Sequence, residues 1–402
     1  MRCPVFRGVG RVAHKYYLLF QHHTKPQGEE GEEDSSWILG ATPGKYCDRI
    51  SRSLYCRLGS RVAFLGVDAR TERTRHQINL PETYDVLFSR IKSELTAAPE
   101  IRHLIILLGV PIAYPRLVWL ETFLKSPFLG LLRFLNKRFG VAQSFFNNFD
   151  GEIDILDDLD DHYCAGTHKL ERNDLVHRFQ RFAADRNVRI TFLSGDVHLA
   201  AIGRFYSKTS LGIKPENDPR YMVNVISSAI TNKPPPVAVS NILARRNKVH
   251  HLDASTDEQL LDFFDKDVDG SVRKRNLNTM PRRNYSIITE GSGPNLEAPR
   301  ERRHRMHRHA ANAVGDLEEE AGAEHPAASA GQKDQILTGE GSLDVAIRVE
   351  KKREDPAGET FSYGFASKFL PCVGSEKILT AVVPPLNADR PADESGSIAA
   401  AE

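Results

Sequence analysis

The run Ile190-Thr-Phe-Leu-Ser-Gly-Asp-Val-His198 is apolar until it breaks at Gly195, after which it presents Asp196 and His198. A carboxylate and an imidazole two residues apart can both face a hard or borderline cation such as iron, manganese, zinc or calcium. A strand that breaks in this way leaves its polar side chains at its carboxyl end, where open α/β sheets place their ligands. The alternative is a strand-end turn whose Asp and His are simply solvated. A second cluster, Ile153-Asp-Ile-Leu-Asp-Asp-Leu-Asp-Asp-His162, gathers carboxylates at Asp154, Asp157, Asp158, Asp160 and Asp161. Acidic residues also favour the start of a helix, so this run has a structural explanation beside a chemical one. A third, Val67-Asp-Ala-Arg-Thr-Glu-Arg-Thr-Arg75, sets Asp68 at a strand end with Arg70 close behind. Arginine binds phosphate oxygens in bidentate pairs, and surface pairing with Glu72 is the competing use.

Chemistry of this kind needs strands that end together. Val62 to Val67, Leu104 to Leu108, Ile190 to Leu193 and Tyr221 to Ile226 are short runs apolar on both faces, which predicts central strands covered on both sides. Thr83 to Leu95 and Leu170 to Asn187 carry apolar stripes at helical spacing and predict helices packed on that sheet. Leu252 to Phe264 reads as a further helix with Ser255 or Thr256 at its N-cap. Phe264-Asp-Lys-Asp-Val-Asp-Gly270 copies the opening of a calcium-binding EF-hand loop. Its twelfth position is Asn276 rather than Glu, so a polar loop is expected. Leu343 to Phe365 alternates and predicts a hairpin returning to the fold.

Composition bounds the rest. The 402 residues are 40% hydrophobic, enough for one large or two ordinary cores. Lys and Arg number 54 against 53 for Asp and Glu, and a net charge of +1 gives no reason to expect a nucleic-acid partner. Five scattered cysteines without paired spacing suit a reducing intracellular compartment, the cytoplasm, rather than a disulfide scaffold, and Met1 to Val12 lacks the apolar core of a signal peptide. Leu104 to Leu124 is apolar but interrupted by Pro111, Pro115, Arg116 and Glu121; it predicts buried strand plus helix, with membrane association as the lesser alternative. Gly291 to Lys333 is rich in Gly, Ala, Pro, Glu and Arg and should be disordered, its basic run Arg300 to His309 included.

Taken together, Asp68-Ala-Arg70, Asp158-x-x-Asp161 with His168-Lys-x-Glu-Arg172 behind it, Gly195-Asp-Val-His198 and Ile226-Ser-Ser-Ala-Ile-Thr-Asn232 stand in the order found in PhoD-like alkaline phosphatases. The sequence resembles the intracellular fungal branch of that family over roughly Val12 to Asn284, including Pro281-Arg-Arg-Asn284. The resemblance implies an α/β fold of the calcineurin-like metallophosphoesterase type, a sheet core flanked by helices. It implies hydrolysis of a phosphorylated substrate by metal-activated water, with an inactive scaffold as the alternative. Asp196 matches a metal-ligand position, His198 lies at the active site as ligand or catalytic group, and Arg70 faces phosphate. Asp68, Asp158, Asp161 and Arg172 match positions near the site. The family's N-terminal metal ligands have no counterpart before Arg61, where only His14, His22, His23, Asp34 and Asp48 could serve, so a domain lacking its N-terminal part is expected. The expected layout is a partial phosphatase domain over 1–285, a disordered segment over 286–338, a hairpin extension over 339–375 and a disordered tail over 376–402.

Overall fold

A computed structural model describes residues 3–24, 36–115, 163–245, 247–291, 341–353, 355, 358–367 and 369–370. The order of elements is α1 (Pro4–Phe20), β1 (Trp37–Leu39), β2 (Arg52–Arg57), β3 (Val62–Gly66), α2 (Pro81–Ala97), β4 (His103–Gly109), α3 (Lys169–Arg186), β5 (Arg189–Ser194), β6 (Ala200–Ser207), β7 (Met222–Ile226), α4 (Val237–Arg245), β8 (His250–His251), β9 (Thr256–Leu260), β10 (Thr279–Met280), β11 (Asn284–Glu290), β12 (Leu343–Glu350) and β13 (Thr360–Ser367). It is a mixed α/β fold. Its ten-stranded sheet runs β1-β2-β3-β4-β5-β7-β6-β9-β8, with β10 also paired to β6.

The four apolar runs anticipated as central strands are β3, β4, β5 and β7, and they form the parallel heart of the sheet. Alternation explains why each is apolar on both faces. Leu104 and Ile106 of β4 pack with Tyr84, Leu87 and Ile91 of α2 and Leu175, Phe179 and Phe182 of α3. Ile105 faces the other way, into a cluster with Val345, Ile347, Tyr363 and Phe365. Those residues belong to a separate antiparallel sheet, β11-β12-β13, which covers the second face. Each fully buried Leu, Ile or Phe side chain contributes roughly 1.5–3 kcal/mol of transfer free energy. Both helices thus hold the sheet through the stripes visible in sequence. Pro81 opens α2 at a position where a missing N–H costs nothing, and Asn187 closes α3 in the left-handed region.

Three expectations need correction. Leu252 to Phe264 is not a helix: Thr256–Leu260 is strand β9, paired with β6 on one side and β8 on the other. The Asp253 carboxylate accepts from Ser255 N (2.6 Å) and Thr256 N (2.8 Å), closing a tight β8–β9 turn where a helix start was read. The acidic pair Asp257–Glu258 mimicked a first helical turn, yet both side chains are buried against partners from elsewhere. Second, the hairpin β12–β13 has a third strand: β11 runs to Glu290, so paired structure continues past residue 285. Third, Glu72 is not a surface ion-pair partner. It is buried and accepts from Ser51 Oγ (2.6 Å), Thr83 Oγ1 (2.7 Å) and Leu80 N (2.7 Å), which fastens the start of α2.

The Asp265–Gly270 loop closes on itself. Asp267 N donates to Ser271 O (2.8 Å) and Gly270 N to Asp267 O (2.8 Å), while Asp269 accepts from Ser271 N (2.8 Å). Gly270 has φ +81°, the left-handed conformation such a turn needs. No helix among the described residues is long and apolar enough to cross a membrane.

Candidate functional site

The C-terminal ends of β3, β5 and β7 converge, and each carries polar residues on the loop that follows. After β5, Val197 N donates to Gly195 O (2.9 Å), closing a γ-turn centred on Asp196, whose φ is +73°. That turn is rare and strained for a side-chain-bearing residue, and His198 follows at φ +53°. Two left-handed residues in three aim Asp196 and His198 out of the sheet end. Gly195 N donates to Gly109 O (2.9 Å), so the end of β4 supports the same loop.

Arg70, from the loop after β3, brings its Nη2 within 3.6 Å of Asp196 Oδ1. Asn232, from the loop after β7, donates from Nδ2 to His198 Nε2 (3.3 Å), a contact that requires the ring proton on Nδ1. Three segments distant in sequence therefore bring Arg70, Asp196, His198 and Asn232 together on an accessible rim. A carboxylate, an imidazole, an amide and a guanidinium in one place can bind a phosphoryl group and contribute donors to a cation.

Asp68 has a different task. Its carboxylate accepts from Arg52 N (2.9 Å), Arg70 N (3.0 Å), Thr71 N (3.0 Å) and Thr71 Oγ1 (2.6 Å), which consumes its lone pairs in shaping the loop that carries Arg70. Arg172 also lies away from the rim. It is buried, its Nε donates to Ile112 O (2.7 Å), its Nη2 pairs with Glu258, and its guanidinium lies 5.3 Å from the Phe205 ring centroid. It anchors the buried loop 110–115 behind the site. Asp158 and Asp161 fall outside the described residues, as do Asp154, Asp157, Asp160 and His162.

Three supporting residues had no role assigned from sequence, although Glu171 and Asn284 stand in motifs singled out there. Asn224, inside the apolar run of β7, accepts from Ile112 N and Ala113 N (3.1 Å each) and donates to Ser194 Oγ (2.8 Å), tying loop 110–115 to the end of β5. A lone amide in a strand otherwise buried and apolar was the available signal. Asn284 accepts from Ser227 Oγ (2.9 Å) and Ser228 N (3.0 Å) and donates to Ser228 O (2.5 Å), clamping the loop that leads to Asn232. Glu171 accepts from Ile78 N and Asn79 N (2.8 Å each) and from Tyr84 Oη (2.8 Å). Burial pushes its carboxyl pKa up against those donors.

The donor set does not by itself hold a hydrolytic metal pair. Such a centre takes about three or four protein ligands per ion, and no group of three or more His, Cys, Asp or Glu side chains placed to hold a metal occurs among the described residues. Asp196 and His198 could contribute no more than part of such a set.

An uncharacterized protein of Saccharomyces cerevisiae is 40% identical over 310 residues, covering 72% of this chain but only 44% of its own length. This chain thus spans less than half of that relative. The solved structure of PhoD aligns with 66% of this chain and 39% of its own, at 10% identity and a TM-score of 0.32, a level of likeness that carries no argument. The model of the family described as PhoD related phosphatase matches residues 1–129 and 123–315, a span that holds β3, β5 and β7 with every loop just described. By that match, the chain belongs to the PhoD related phosphatase family.

Proposed function

We propose that this chain forms the phosphate-facing part of a metal-dependent phosphoester hydrolase on a calcineurin-like scaffold. One observation supports this above the others: Arg70, Asp196, His198 and Asn232 meet at the ends of parallel strands, two of them in left-handed backbone. In this reading Arg70 binds phosphoryl oxygens through its guanidinium. Asp196 contributes one carboxylate to a metal, and Asn232, by occupying His198 Nε2, leaves the ring's Nδ1–H to donate to a phosphoryl oxygen; His198 would ligate a metal only by giving up that contact. Bound metal supplies an activated water and neutralises charge on the phosphoryl group. The oxygen and nitrogen donors suit iron, manganese, zinc or calcium. Cys3, Cys47, Cys56 and Cys164 are free thiols, which supports an intracellular setting.

The test is elemental analysis of the purified chain together with turnover of a chromogenic phosphomonoester and diester, for wild type and Asp196→Asn. Stoichiometric metal with hydrolysis lost in the variant is the expected result. A well-folded chain with neither metal nor turnover would make this protein, by itself, a non-catalytic scaffold.

A further inference from the structure

The loop before β2 is pressed against the loop that carries Arg70. Gly44 N donates to Arg49 O (2.8 Å), which folds residues 44–49 into a turn, and a Cβ on Gly44 would stand 2.1 Å from Thr71 O. Just beyond that turn, Arg52 N (2.9 Å) and Arg70 N (3.0 Å) donate to the two oxygens of one carboxylate, that of Asp68, so their backbones are fixed side by side. Helix α1 closes the flank. Its Arg7 pairs with Asp48, and its half-buried His14 lies near enough to Arg49, Arg52 and Asp68 for each to act on its charge. Three segments therefore set His14 and Arg49 next to the rim.

The charges gathered there do not cancel. Asp48 is held by Arg7, Asp68 by four donors, and Glu72 by Ser51, Thr83 and Leu80. No carboxylate among the described residues pairs with the half-buried Arg49. A guanidinium partly withdrawn from water is stabilised when a ligand supplies the opposite charge. Burial, then Arg49 and Arg52, push the His14 pKa down, so at neutral pH the ring is uncharged and keeps one N–H to donate.

We infer that His14 and Arg49 form a second anion subsite beside the rim, and that the substrate carries two phosphate groups, one on Arg70 and the other on Arg49 and His14. This rests on the phosphate-facing reading of Arg70 given above. Phosphate suits the pair: two of its oxygens meet the guanidinium fork and a third accepts from the imidazole.

Calorimetric titration of the full chain with propyl phosphate, propanediol bisphosphate and hexanediol bisphosphate reads the subsite without turnover, the two bisphosphates bracketing the span. At least one bisphosphate should bind wild type about tenfold or more tighter than propyl phosphate. Arg49→Gln should remove most of that advantage while leaving propyl phosphate within about twofold, and Arg49→Lys, which keeps the charge but not the fork, should fall between. Arg70→Gln should weaken all three ligands. Arg49 is in neither the core nor an ion pair, so unchanged melting temperatures are expected of both Arg49 variants. Propyl phosphate bound through Arg70 with neither bisphosphate tighter, or Arg49→Gln weakening all three ligands equally, overturns the subsite and leaves the phosphate-facing reading standing. Binding of none of the three by a folded chain removes both.

Discussion

Arg172 and Arg70 both sit in motifs singled out from the sequence, and the fold uses them in opposite ways. Arg172 is sealed beneath loop 110–115, bound to Glu258 and to Ile112 O, on the same buried scaffold as Asn224. Arg70 stands on the rim with Asp196, where contacts are longer and backbone conformations strained. The buried Arg172 is paired with Glu258 because an unpaired charge there would be costly. The rim retains strain and accessibility, which a structural role would have selected against. Two arginines from motifs singled out in the sequence can therefore differ completely in whether their loss damages stability or chemistry.

The sharpest way to break this contrast is Arg172→Ala. It leaves the Glu258 carboxylate buried without its partner and should cost about 3–5 kcal/mol in denaturant unfolding. A loss under 1 kcal/mol would mean that water reaches Glu258 and that the cluster is not a sealed support. Asn224→Ala comes next. Orphaning Ile112 N and Ala113 N should cost about 2–3 kcal/mol, and hydrolysis should fall with it as loop 110–115 loosens. Full activity in a destabilised variant would uncouple the support from the rim.

A third prediction concerns pH. Burial, then the nearby Arg189, push His103 down from 6.5 to about 3, with its ring on Thr191 Oγ1 (2.8 Å). Because folding lowers this pKa, its stability contribution is present above pH 6.5 and is lost as pH falls toward 3. Unfolding free energy should drop by about 1.4 kcal/mol per pH unit in that window. His103→Gln should flatten the profile, and an unchanged slope would assign the acid sensitivity elsewhere. The smallest stability effect belongs to the rim. Asp196→Gly relieves the φ of +73° and should raise stability by up to about 1 kcal/mol. In the proposed reading it also abolishes metal-dependent turnover. A clear loss of stability instead would show that the γ-turn is held by its contacts and that the rim, too, is structural.

Much of this was legible in the chain. Continuous apolar runs identified β3, β4, β5 and β7, because strands covered on both faces leave no polar position. The stripes of α2 and α3 marked the helices that cover them. Gly195 before Asp196 and His198 identified the break at a strand end. Each of those signals is local, since side-chain periodicity and glycine freedom act within a few residues. Tertiary structure alone decided what polar residues do. Glu258 reads as a helix start until Arg172 arrives from 86 positions away. Asp68 reads as a site carboxylate until four donors converge on it. Hydrophobic burial follows from residue type and spacing, whereas a charge or an amide takes its role from the partner that folding brings to it.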